Sequence, residues 1–183
     1  MAAIIIVRGG PAVGKSSVSE ILSVSLPKCA LIEEDLFNHM QRKRHYQDPK
    51  TNKIALELLF NTIDKLLELD TYENIVIEGL MEKRVTMKRI EEYAKQNGFQ
   101  FIVYQLELDP EVAWQRHKKN PDRKHKRIDE VRFVKLHDDL RKTASKKTHF
   151  INVDKRTTQS VVNEIKARIE GHEDDYFNPD YLF

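Results

Sequence analysis

Residues 3–16 read AIIIVRGGPAVGKS, and this stretch constrains the fold more than any other part of the chain. Ala3–Val7 is an apolar, largely β-branched run of the kind buried on both faces of a parallel sheet. Three of the six glycines, Gly9, Gly10 and Gly14, then fall within six positions, directly ahead of Lys15 and Ser16. From Lys15 onward, Val18, Ile21, Leu22 and Leu26 recur at helical spacing. Strand, glycine-rich turn and helix in that order match G-x-x-x-x-G-K-[ST], a loop that wraps phosphate. Glycine reaches backbone angles closed to other residues, so successive N–H groups curl toward an anion. The helix that follows adds the partial positive charge of its N-terminus. Gly9, Gly10, Pro11, Ala12, Val13, Gly14, Lys15, Ser16 and Ser17 are therefore the expected nucleotide contacts. Lys15 reaches the β- and γ-phosphates, Ser16 ligates Mg²⁺, and Pro11 stiffens the turn.

The remainder of the chain alternates in the same way. Strands are expected at Cys29–Ile32, Asn74–Ile77, Phe99–Leu108 and Phe150–Val153. Helices are expected at Asn52–Leu69, Val85–Lys95, from Asp109-Pro110 onward, Glu130–Leu140 and Ser160–Ile169. Asp109 and Pro110 form a cap and first-turn pair, and Asn97-Gly98 a helix stop. This order predicts an α/β three-layer sandwich, a five-stranded parallel sheet with helices on both faces. One domain over residues 1–170 is expected, followed by an acidic-aromatic tail at 171–183, EGHEDDYFNPDYLF with the preceding Glu170.

Composition narrows the class. The 183 residues carry a net charge of +2, so no global field draws the chain onto nucleic acid or an anionic membrane. A single cysteine, Cys29, rules out an internal disulfide and suggests a reducing compartment; its apolar context, PKCALIEE, marks it as a buried structural thiol. No run approaches the roughly 18 apolar residues of a membrane span. A cytoplasmic protein is expected.

Several nucleotide-binding classes share the loop. A GTPase would carry N-K-x-D near a late strand, and the Asn52-Lys53 pair is misplaced for it, so ATP is the expected nucleotide. A transporter signature is absent, and the strand ending IVIEGL lacks the Asp-Glu of ring ATPases. Phosphoryl transfer needs an acid on the attacking hydroxyl and cations over the moving group. Open parallel sheets bind ligand at the carboxyl ends of their strands. LIEEDLFNH puts Glu33, Glu34 and Asp35 there, and VIEG puts Glu78 there, with Gly79 leaving room for substrate. Asp35 is preferred as base because it opens the next helix, one step clear of the strand. RHKKNPDRKHKR, Arg116 to Arg127, is a basic lid over about residues 116–128, with Arg116 and Arg123 on the transferring phosphate and Arg127 on nucleotide. A solvated face, or a polynucleotide track through Lys118, Lys119, Arg123, Lys124, Lys126 and Arg127, are the alternatives.

With these residues in view, the chain resembles the small P-loop kinases that include zeta-toxin-like kinases, chloramphenicol phosphotransferase-like enzymes and polynucleotide 5′-hydroxyl kinases. VRGGPAVGKSS, IEEDLFNHM and NIVIEGLMEKRVTMKRIEEYAKQNGFQFIVYQLELDPEVAWQRHKK carry the likeness, over most of residues 3–170. It implies a nucleoside-monophosphate-kinase-like fold, Asp35 as base, Glu78 on substrate, and Arg116 and Arg123 in a lid. The group often shows Asp-x-x-Arg at the acceptor site, whereas Asp35 is followed by Asn38; Arg42 or Arg44 would then take the arginine's part. The expected activity is ATP- and Mg²⁺-dependent transfer of phosphate to a hydroxyl of a small or nucleotide-sugar-like acceptor. The alternatives are a polynucleotide 5′-hydroxyl kinase and an ATP-binding regulator that transfers nothing.

Overall fold

A computed structural model describes residues 2–40, 49–69, 71–119 and 128–171, with no account of the side chains of 38–40 and 49–52. The elements run β1 (Ala3–Gly9), α1 (Lys15–Ser25), β2 (Cys29–Glu33), α2 (Glu34–Met40), α3 (Pro49–Glu68) and β3 (Asn74–Gly79). They continue α4 (Arg84–Gln96), β4 (Gln100–Glu107), α5 (Pro110–Lys119), α6 (Glu130–Lys142), β5 (Thr148–Asn152) and α7 (Thr158–Gly171). Every strand pairs in parallel, in the order β2-β3-β1-β4-β5.

Strand β1 is buried along its whole length because helices cover both faces of the sheet. Its pleat sends Ala3, Ile5 and Val7 toward α1 and α7, where Val18, Leu22, Val161, Val162 and Ile165 meet them. Ile4 and Ile6 pack against Leu59 and Ile63 of α3 and Ile90 and Ala94 of α4. Ile5 and Ile6 are wholly buried, and cutting either to alanine would cost roughly 2–5 kcal/mol. This double burial explains why β1 shows an unbroken apolar run instead of alternation.

Local signals set the boundaries. Asp109 accepts hydrogen bonds from the Glu111 and Val112 N–H groups, starting α5 just after β4. Asp129 caps α6 in the same way through Arg132 N–H. Gly98, with φ of 73°, turns the chain after α4. Helix α2 opens at Glu34, so Asp35 lies within its first turn rather than at its start.

The order places the reversal of the sheet beside β1. The chain leaves β1 for β2 at one edge, returns through β3, and crosses to β4 on the other side of β1. Ligand crevices form at the carboxyl ends of strands at such a point. Arg8–Gly9 and the 78–79 end of β3 lie there together, with Arg8 opposite Gly79.

Candidate active site

The loop between β1 and α1 departs from any repeating backbone. Gly14 caps α1 with φ of 99°, a conformation that side chains oppose, and Ala12 has φ of 64°. The first turn of α1 holds no acid, leaving its positive end uncompensated by local carboxylates. Ser16 and Ser17 are exposed on that turn. Lys15 folds back over the loop, donating to the Gly10 carbonyl at 3.2 Å, with its ammonium 3.9 Å from Glu78. Both side chains are about nine-tenths buried, at 11% and 10% exposure. Two residues expected separately, Lys15 on phosphate and Glu78 on substrate, are thus brought together at the ends of β1 and β3.

On the other side, Glu33 is exposed and Asp35 half-buried, whereas Glu34 is drawn inward. Its Oε2 accepts the Met81 N–H at 3.2 Å. A Cβ on Gly79 would sit 2.2 Å from that oxygen, so the space under Gly79 holds Glu34 and not substrate. Burial pushes the Glu34 carboxyl above its ordinary value; the Met81 N–H and Lys15 counter this, while Asp35 and Glu82 reinforce it. Met81 has φ of 48° and is 1% exposed, so Glu34 fastens a strained turn after β3.

Two further residues escaped the sequence reading. Arg8 is 1% exposed, and donates to the Leu140 carbonyl and Thr143 Oγ1, each at 2.8 Å. Burial brings its pKa down to about 10, against the pull of Glu34, so it stays charged at neutral pH. His137 of α6 is 7% exposed and lies against Gly10 and Pro11. A histidine four positions after Phe133, inside the buried stripe of α6, was the available signal.

Arg116 lies exposed in the last turn of α5. Arg42, Arg44, Arg123 and Arg127, with most of the expected lid and all but the first residue of the tail, fall outside the described residues, as does the side chain of Asn38. Cys29 is half-buried rather than buried, and burial raises its thiol to about 11, which keeps it protonated at neutral pH.

A phosphate-wrapping loop between the first strand and helix of an all-parallel five-stranded sheet, with acids at the neighbouring strand ends, defines a P-loop protein of the kinase type. The profile of the zeta toxin family matches residues 2–176, and the chain belongs to that family of P-loop kinases. No curated protein sequence matches it. Among solved structures it is similar to the tunicamycin resistance protein of Deinococcus radiodurans, at 17% identity, with a TM-score of 0.68 and 92% of this chain and 96% of that one covered. It is also similar to a gluconokinase from Sinorhizobium meliloti 1021, at 17% identity, a TM-score of 0.63 and 93% coverage of both chains. At such identities the likeness defines the shared fold. Among the described residues no helix is long and apolar enough to cross a membrane.

Proposed function

We propose that the chain is an ATP-dependent kinase that moves the γ-phosphate onto a hydroxyl of a small-molecule or nucleotide-sugar-like acceptor. The observation that carries this reading is Lys15, folded over the loop between the Gly10 carbonyl and Glu78. Its charge sits between the loop that takes the donor and the strand ends that take the acceptor. A protein that only held nucleotide would have no use for acids on the acceptor side.

In this reading the loop N–H groups and the start of α1 hold the phosphates, and Lys15 follows the charge as it shifts toward the leaving oxygen. Asp35 accepts the acceptor's hydroxyl proton. The acceptor oxygen forms its bond to the γ-phosphorus as the bond to the bridging β–γ oxygen breaks, and ADP carries away that electron pair. Glu78 orients the acceptor. The engagement of Glu34 with the Met81 N–H supports the choice of Asp35, because it gives Glu34 a structural task. Ser16, exposed at the start of α1, fits a hard cation whose other ligands are phosphate oxygens and water. Mg²⁺ bound there would neutralise phosphate charge during transfer. Arg116, Arg123 and Arg127 would close over the donor, with Asn38 and Arg42 on the acceptor; the cytoplasm suits a cofactor pair of ATP and Mg²⁺.

The test is ³¹P detection of phosphorylated product with ATP·Mg²⁺ and a panel of sugars, nucleotide sugars, antibiotics and 5′-hydroxyl oligonucleotides. Transfer to a small acceptor supports the reading, and transfer to oligonucleotides alone replaces it with the polynucleotide kinase. ATP binding without transfer to any acceptor, or even slow hydrolysis, leaves the regulator.

A further inference from the structure

His137 takes no part in the chemistry above, yet it brings α6 directly against the phosphate loop. A Cβ at Gly10 would lie 2.2–2.4 Å from three atoms of its ring. Its Nε2 is 3.2 Å from the Pro11 carbonyl oxygen. A carbonyl only accepts, so Nε2 carries the hydrogen and donates it. Phe133 backs the ring at 5.1 Å between centroids, and Trp114 of α5 backs Phe133 at 5.1 Å. One turn further along α6, the Leu140 carbonyl takes the hydrogen bond from Arg8. Residues 8, 10 and 11 are thus all held from one helix.

The consequence lies in the peptide plane. A trans peptide sets C=O and the following N–H on opposite sides. Drawing the Pro11 carbonyl toward α6 therefore turns the Ala12 N–H away from α6. Ala12 adopts a left-handed φ of 64° without being glycine, a conformation that persists only where neighbours enforce it.

We propose that His137 is a positioning residue of the nucleotide site: its ring fills the space a side chain at residue 10 would need, and its Nε2–H holds the Pro11 peptide with the next N–H facing the phosphates. The neutral ring suffices for both tasks. Burial lowers its proton affinity; the Pro11 carbonyl opposes this, Lys15 and Arg141 add to it, and Asp138 opposes it again.

The experiment is calorimetric ATP binding to the full chain without acceptor, with melting curves of each free variant. H137L keeps apolar bulk and loses the donor, so its Kd should rise about 10-fold. H137Q returns a donor to the same place and should recover most of that loss. G10A should weaken binding by about 30-fold or more in the parent, but by no more than about 3-fold in H137A, where the ring no longer competes for space. Unchanged affinity in H137L, equal losses in H137L and H137Q, or an equal cost of G10A in both backgrounds would overturn the inference. If H137A does not fold, the leucine and glutamine pair decides alone. A parent chain that binds no ATP would sink the nucleotide reading and this inference together, whereas the other outcomes touch only His137.

Discussion

The two sides of the crevice are built on different plans. The donor side is eight consecutive residues, Gly9–Ser16, whose motif is glycine, a helix start and one lysine, and against which α6 sets His137. The side proposed for the acceptor joins residues 34–35 to 78–82, and its shape rests on contacts such as Glu34 with the Met81 N–H, 47 positions apart. A contiguous loop announces itself in the sequence even where a distant residue holds it in place. A surface assembled from distant segments depends on the sheet that aligns them, so one fold can keep its phosphate loop while its acceptor pocket diverges.

This contrast is most directly broken by Lys15→Ala. Lys15 touches both sides, and its loss should reduce turnover on the order of 10³-fold while the far-ultraviolet circular dichroism stays that of the parent. A folded, fully active variant would dissolve the division into donor and acceptor sides. Asp35→Asn sharpens it: turnover should fall about 10²-fold with ATP affinity kept, as for the loss of a general base. A matching loss of ATP affinity would move Asp35 to the donor side.

The donor side was legible because its information is contiguous. The phosphate loop, the alternation of strands and helices and the capped start at Asp109-Pro110 each rest on near neighbours in the chain. The acids at the strand ends were legible as a set, since β2 and β3 had to end near one another. Which acid does what was not. Nothing near Glu34 in the chain shows that Gly79 leaves it a place, or that Met81 needs its carboxylate. Arg8 looked like part of a strand, and its partners lie more than 130 positions away, at the end of α6. His137 read as one polar residue on a mixed helix until the loop was folded against it.

The smaller effects concern pH, and here the two sides oppose each other. His137 titrates below its ordinary value of 6.5 in the folded chain, so between those two points the unfolded chain binds more protons. Its share of stability is full above 6.5 and is lost as pH falls through the lowered value. Glu34 titrates above its ordinary 4.5, so the folded chain holds the extra proton, and stability is lost as pH rises from 4.5 through the raised value. Melting temperatures at pH 5 and pH 7.5 test both. H137Q should flatten the acid-side decline. E34Q, which keeps an acceptor for Met81, should gain stability over the parent at pH 7.5 and lose that advantage toward pH 4.5. An E34Q variant less stable than the parent at both values would mean that Arg8 and Lys15 outweigh the burial of that charge.

The strand order has a consequence in time as well as in space. Strand β1 is laddered on both sides, by β3 and β4, whereas among the described residues β2 has β3 alone. Amide hydrogens are released when their ladder opens, and an edge strand opens without disturbing the rest. Deuterium should therefore enter Cys29–Glu33 through partial openings, while Ala3–Gly9 waits for the whole sheet to come apart. The strand that delivers Asp35 would then be the part of the crevice with the shortest memory of its own shape.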